Sequence, residues 1–242
     1  MLVLGLDTTG RLGSVALVRD GAAAGTVVGD PARAHAQRLP GDILALLAAQ
    51  GLQPSDVDVF AVAAGPGSFT GLRIGIAAIQ GLAFATRRPV VGISALEALA
   101  HAAGQGGTTG AWGRVGVWMD AQRDEVFAAI YQRDAQEAPW RLTDGPVVDQ
   151  PRAVAQRWRG PAGAAPLPMV GDGAVRYRAI VADVLGPAAY IIEPPPMAPS
   201  IAWLGWQRAL AGEAGLPHAI RPLYVRRSDA ELARDRAAAG IR

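Results

Sequence analysis

Residues 57–83, VDVFAVAAGPGSFTGLRIGIAAIQGLA, decide the fold of this chain. The run over 57–64, apolar but for Asp58, reads as a buried strand. It enters a glycine-rich turn, Gly65-Pro66-Gly67-Ser68-Phe69-Thr70-Gly71. A helix over 70–85 follows, with Arg73 and Gln80 as its strongly polar side chains. Glycines in such a turn let main-chain N–H groups approach an anion or another backbone closely. A helix apolar all round cannot face water on every side, so something must cover it.

The turn lacks the Gly-Lys-Ser/Thr ending of a Walker loop, and its third glycine falls one place late for G-x-G-x-x-G. Spacing therefore leaves two readings open for Gly65, Gly67 and Ser68. One is a degenerate anion or nucleotide cradle; the other is a tight strand-to-helix connection. Ser68 or Thr70 caps the helix in either case. Leu72, Ile76, Ile79 and Ala83 form a large apolar face suited to the parent sheet. Gly71, Gly75, Ala78, Leu82 and Ala85 form a second face of small residues, which needs a neighbour in the chain or on another subunit.

Outward from this core, 2–8 and 13–19 read as paired strands and 22–29 as a third. Residues 35–50 read as a helix with Leu39, Ile43, Leu46 and Leu47 on one side; Pro40-Gly41 either kinks it or marks where its main part begins. Residues 89–93 form a strand, and Ser94-x-x-Glu97 opens a helix to about 103 as a capping box. The Gly/Thr-rich stretch 104–113 marks a boundary between an N-terminal unit, 1–104, and a smaller C-terminal one, 105–242, whose last helices are free to fold back on the first. Beyond it we expect a hairpin over 115–131, an irregular 138–168 with a short helix at 151–158, and one helix from about 172 to 185. A helix over 200–211 and a short strand at 223–225 follow, and Ser228-x-x-Glu231 is a second capping box. Strands alternating with helices after an antiparallel opening imply an α/β fold in two lobes.

The chain has 242 residues, 50% apolar and 18% charged, enough to bury a substantial core. No apolar run reaches the roughly 18 residues of a membrane span. The start, MLVLGLDTTG, has no basic leader, and cysteine is absent; both point to the cytoplasm. All 23 basic residues are arginine, which rules out a P-loop or Schiff-base lysine, and a net charge of +2 gives no bulk drive towards nucleic acid. Asp7-Thr8-Thr9, at the end of the first strand, has the groups to hold Mg²⁺ and a phosphate, or to cap an ordinary turn. His35, His101 and His218 lack ligand spacing, and there is no G-x-S-x-G elbow, so no metal site and no catalytic residue is expected.

Seven ordered segments carry a resemblance to the TsaB (YeaZ) family. They are LGLDTTGRLGSVALV (4–18), HAQRLPGDILALL (35–47), AVAAGPGSFTGLRIGIAAIQGLA (61–83), VVGISALEALA (90–100), MDAQRDEVFAAIY (119–131), GDGAVRY (171–177) and RPLYVRRSDAE (221–231). The resemblance implies the actin/Hsp70/sugar-kinase fold, with two lobes on mixed sheets and the first phosphate loop over Asp7 to Gly13, in which Asp7, Thr8 and Thr9, with Gly65, Gly67 and Ser68, form a degenerate nucleotide or anion site. It implies a non-catalytic subunit of the bacterial machinery for N6-threonylcarbamoyladenosine in tRNA. That subunit pairs with the catalytic TsaD, works with TsaE, self-pairs when alone and meets tRNA indirectly. The pairing surface carried over is His35, Leu39, Ile43, Leu46, Gly71, Leu72, Gly75, Ile76, Ala78, Ile79 and Leu82. ATP or ADP at the subunit interface is left open, and Arg221, Arg226 and Arg227 are the arginines placed to touch tRNA. The rival readings are a small ATP-dependent phosphotransferase using Asp7 and the glycine turn, and a metallopeptidase, which the unpaired histidines disfavour.

Overall fold

The structure, a computed structural model, describes residues 1–105, 113–135, 138–161, 165, 167–186 and 189–225. Its first half contains β1 (Leu2–Asp7), β2 (Ser14–Arg19), β3 (Ala22–Val28), α1 (His35–Ala49), β4 (Val59–Gly65), α2 (Phe69–Thr86), β5 (Val90–Ser94) and α3 (Ala95–Gln105). The second half contains β6 (Arg114–Asp120), β7 (Val126–Gln132), β8 (Arg141–Asp149), α4 (Pro151–Trp158), β9 (Met169–Val170), α5 (Asp172–Arg176), α6 (Arg178–Leu185), β10 (Ile191–Ile192) and α7 (Ala198–Leu210).

The two halves repeat one topology. The first sheet runs β3-β2-β1-β4-β5 and the second β8-β7-β6-β9-β10. In each, the first three strands pair antiparallel and the last two join in parallel. Strand alternation sorts side chains into layers. Leu2, Leu4, Leu6, Phe60 and Val62 point outward under α1 and α2, whereas Val3, Val59, Ala61 and Ala63 point inward. On the second sheet Trp118, Val126, Ala128 and Ile130 face α4 and α6, and Val115, Val117, Phe127 and Ala129 face inward.

α3 and α7 fill the space between the sheets. α3 follows the first sheet but also packs on β6 and β7; α7 follows the second and packs across β1, β2 and β4. Small residues allow this closeness. A Cβ on Gly5 would sit 2.6 Å from the Ala198 carbonyl oxygen, and one on Gly205 would sit 2.5 Å from the Ala61 Cβ. Arg208 of α7 ties the layers together, donating to the Gly92 carbonyl at 2.9 Å and pairing with Glu97. Glu97 therefore does not close the expected capping box; Ser94 Oγ receives only a long bond, 3.5 Å, from the Glu97 N–H.

Several sequence expectations need correction. Residues 141–149 form the edge strand β8 instead of irregular chain. The helix expected over 172–185 breaks at Tyr177 into α5 and α6. α1 runs through Pro40 without interruption. Residues 223–225 form no strand, although the Leu223 N–H donates to the Ala64 carbonyl at 2.6 Å. The capping box at 228–231 lies outside the described residues, as does most of the expected boundary at 104–113.

Candidate functional site

Asp7 ends β1 and is buried. Its carboxylate accepts from the Thr9 N–H at 2.8 Å and the Thr9 hydroxyl at 2.7 Å. Burial pushes its pKa up against these bonds, and the nearby charge of Asp172 adds to the rise. Thr8 is completely buried, and its hydroxyl donates to the Gly71 carbonyl at 2.8 Å. The Ser68 N–H donates to the Thr9 carbonyl at 2.9 Å.

The glycines explain this closeness. A Cβ on Gly67 would lie 2.5 Å from the Thr9 Cβ, and one on Gly71 would lie 2.0 Å from the Thr8 carbonyl oxygen. One on Gly75 would meet the Thr8 hydroxyl at 2.2 Å. Gly65 takes φ 119°, a region closed to other residues, where it passes the strand into the turn. Ser68 caps α2, accepting from the Gly71 N–H at 3.2 Å. The turn thus carries α2 onto the 7–9 loop, backbone against backbone. Of the two readings left open by spacing, this geometry favours the tight connection.

His35 and Arg38 brace the same loop from α1. His35 Nε2 lies 2.8 Å from the Gly10 carbonyl oxygen, and its Nδ1 lies 2.9 Å from the Arg38 guanidinium. Arg38 is buried, donates to the Leu12 carbonyl and pairs with Asp42. Gly29 leaves room for that guanidinium, since a Cβ there would overlap it. Nothing in the local pattern marks this arginine as buried, because a charge on an amphipathic helix ordinarily points to water.

The repeat places a second carboxylate at the matching position. Asp120 ends β6 as Asp7 ends β1. The Asp120 N–H donates to the Asp172 carboxylate at 2.9 Å, and Arg176 bonds the Asp120 carboxylate at 2.6 Å. Burial, with Asp120 beside it, holds the Asp172 carboxyl above its ordinary range. In the β6–β7 turn Gln122, Arg123 and Asp124 all take left-handed backbone, at φ 60°, 56° and 56°. The sequence signal for Asp172 is the strand-end Gly-Asp-Gly at 171–173. Among the described residues no three His, Cys, Asp or Glu side chains gather to hold a metal.

A hydrogen-bonded Ser–His pair also went unread. His101 Nδ1 lies 2.9 Å from Ser200 Oγ, and the imidazole stacks on Trp203 at 4.4 Å. Both residues are buried between α3 and α7, where burial, and then the Arg133 charge, lower the imidazole pKa to about 4. The pair joins two helices, with both side chains buried.

The residues expected to pair with another subunit divide by exposure. Leu39, Ile43, Leu46, Leu72, Ile76 and Ile79 are buried in the chain's own outer core, and Gly71 and Gly75 are pressed on Thr8. The small-residue face therefore meets the 7–9 loop at its N-terminal end, not a partner helix. Ala78 and Leu82 are half-buried, with Ile74 on the same stripe, and His35 is half-buried at the loop. α2 turns Phe69, Thr70 and Arg73 to solvent in its first turns and Ala77, Gly81, Phe84 and Ala85 beyond them; Phe84 is 80% exposed. α1, packed beside it, adds Leu44 at 54%.

The chain after α7 returns to this region. Gly215 exchanges two backbone bonds of 2.9 Å with Val90, Gln80 donates to the Pro217 carbonyl at 2.8 Å, and Ile220 enters the outer core. Tyr224 packs tilted against Phe69 at 5.4 Å between centroids, and the Arg73 guanidinium lies over the Phe69 ring at 3.9 Å. Of the arginines singled out for tRNA, Arg221 is exposed on this strap; Arg226 and Arg227 lie outside the described residues.

Comparison with known proteins places this architecture. The family model described as TsaD: tRNA N6-adenosine threonylcarbamoyltransferase matches residues 22–163. YeaZ from Pseudomonas aeruginosa superposes with a TM-score of 0.74 at 32% identity, covering 92% of this chain and 99% of that one. The chain belongs to the TsaB (YeaZ) family. The family's tRNA threonylcarbamoyladenosine biosynthesis protein TsaB from Escherichia coli is 36% identical over 162 residues, 65% of this chain and 66% of that protein. The Bacillus subtilis TsaB is 28% identical over 236 residues, 96% of each. The repeated mixed sheets are those of the actin/Hsp70/sugar-kinase fold.

Proposed function

We propose that this chain acts in the synthesis of N6-threonylcarbamoyladenosine in tRNA as the pairing subunit of a complex, without a catalytic centre of its own. The names of its E. coli and B. subtilis relatives supply the pathway. The observation that carries the pairing role is the C-terminal part of the solvent face of α2, where, beyond the exposed Arg73, Ala77, Phe84 and Ala85 offer apolar side chains to water and Gly81 leaves the backbone open. Contiguous exposed apolar surface of this kind usually marks an interface.

The partner is TsaD, whose family model matches more than half of this chain and so describes a related fold. Docking α1 and α2 against the equivalent helix pair makes a four-helix contact, and about 1,600 Å² buried in total suffices for a stable complex. Binding then selects the competent conformation of the catalytic subunit. Without TsaD the same face pairs with a second copy of this chain, and TsaE joins the assembly. tRNA is met through the partner, in the cytoplasm, and a nucleotide at the shared interface is compatible with this arrangement.

The phosphotransferase reading has one observation in its favour: Asp7 and Asp172 lie near enough to raise the Asp7 carboxyl. Against it, the Asp7 carboxylate already accepts two bonds from Thr9. Size-exclusion chromatography of the chain with and without its organism's TsaD tests the pairing; separate elution of the two at micromolar concentration contradicts it.

A further inference from the structure

A concavity of about 420 Å³ opens at the far end of the second sheet from Asp120. Arg114 begins β6, Gln132 ends β7, and Thr143 and Asp144 lie on β8. Arg157, Trp158 and Arg159 close it from the end of α4. Its size falls within the range of small-ligand sites.

Its charge is unbalanced. Three arginines, Arg114, Arg157 and Arg159, line it against one acidic residue, Asp144. That carboxylate is fully engaged, accepting from the Trp158 indole N–H at 2.7 Å and pairing with Arg157. Trp158 and Ile130 are buried and form an apolar floor. Arg114 and Arg159 are exposed, and among the described residues neither side chain has a hydrogen bond or ion pair. Part of the positive charge at the end of α4 complements the helix carbonyls. Arg114 sits on a strand, where that explanation fails.

We propose that this concavity binds a phosphate group, with Arg114 and Arg159 as its forked donors and Trp158 and Ile130 as the surface beneath the attached nucleoside. Guanidinium forks match phosphate oxygens in pairs. The chemistry is shared by a free nucleotide and by a phosphodiester of an RNA backbone. The inference is independent of the TsaD pairing, because the site lies on the second sheet and the pairing face on α2.

The test uses the full chain and three probes: a fluorescein-labelled RNA hairpin followed by anisotropy, and AMP and inorganic phosphate followed by calorimetry. The variant is Arg114→Glu/Arg159→Glu, with Arg33→Glu, an exposed arginine on the first half, as control. Thermal melting of each confirms folding. We expect the double variant to weaken at least one probe about tenfold or more, and the control to change it less than twofold. Weakened hairpin binding with a salt slope shallower by about two identifies the RNA backbone as the source. Weakened AMP or phosphate binding with the hairpin unchanged identifies a free nucleotide. The proposal is overturned if the double variant matches wild type for every probe, if no probe binds wild type, or if Arg33→Glu weakens binding equally.

Discussion

Gly71 and Thr8 meet backbone to backbone: the Thr8 hydroxyl donates to the Gly71 carbonyl at 2.8 Å, and a Cβ on Gly71 would lie 2.0 Å from the Thr8 carbonyl oxygen. This contact fixes where α2 starts and therefore which of its faces remains outside. Gly71→Ala must push the helix off the loop. Overpacking of this kind costs about 1–3 kcal/mol, and a clash with backbone instead of a flexible side chain belongs at the upper end. Urea unfolding should show a lower midpoint for Gly71→Ala and for Gly75→Ala. An unchanged midpoint would mean that the loop and helix are not in contact.

Asp7 gives a prediction with a definite sign. Burial raises its pKa in the folded state above the ordinary 3.8, so the native protein resists its ionisation. Its contribution is most favourable at pH below 3.8 and is lost as pH rises through the folded value. Asp7→Asn removes the charge and keeps an oxygen to accept from Thr9. Chemical denaturation at pH 8 should find it as stable as wild type or more so, whereas Asp7→Leu, which strands the Thr9 donors, should be destabilised by about 1–3 kcal/mol.

The same residue separates a scaffold from a phosphotransferase. Calorimetry of the isolated chain with Mg·ATP at millimolar concentration should register no heat that depends on Asp7, so Asp7→Asn should titrate as wild type does. Heat that disappears in Asp7→Asn would make the rival reading the better one.

His101 sets an acid limit. Its pKa falls from 6.5 to about 4, chiefly by burial and secondarily through the Arg133 charge, so the fold holds it neutral. The native state takes up this proton less readily than the unfolded chain. The stability present above pH 6.5 is therefore lost as pH falls towards 4, by about 3 kcal/mol at most. In His101→Gln the decline of thermal midpoint between pH 6.5 and 4 should be shallower than in wild type. Parallel profiles would show that this imidazole does not titrate against the fold.

The parts legible in the sequence were those whose local pattern and tertiary role agree. The opening hairpin, the 57–83 strand-turn-helix and the 115–131 hairpin have apolar periods that burial then uses. β8 was hidden because an edge strand tolerates Gly145-Pro146, and its side chains are largely exposed. Leu39, Ile43 and Leu46 look the same in sequence whether they cover a sheet or a partner, and here they cover the sheet. Arg38 was invisible for the opposite reason: its burial depends on Gly13 and Gly29, which lie outside its helix. The duplicated topology leaves no period in the sequence, since the same strand order can be built from unrelated side chains.

The most direct test of the pairing role is at Gly81. A side chain placed there meets nothing of its own chain within 4 Å, and the position lies on the exposed face of α2. Gly81→Arg should fold at least as well as wild type, because almost any residue exceeds glycine in helix propensity. Calorimetric titration of TsaD into wild type and into Gly81→Arg decides the matter. The account predicts a well-defined complex with wild type and a loss of affinity of about a hundredfold or more with the folded variant. Equal affinities would place the partner somewhere other than this helix.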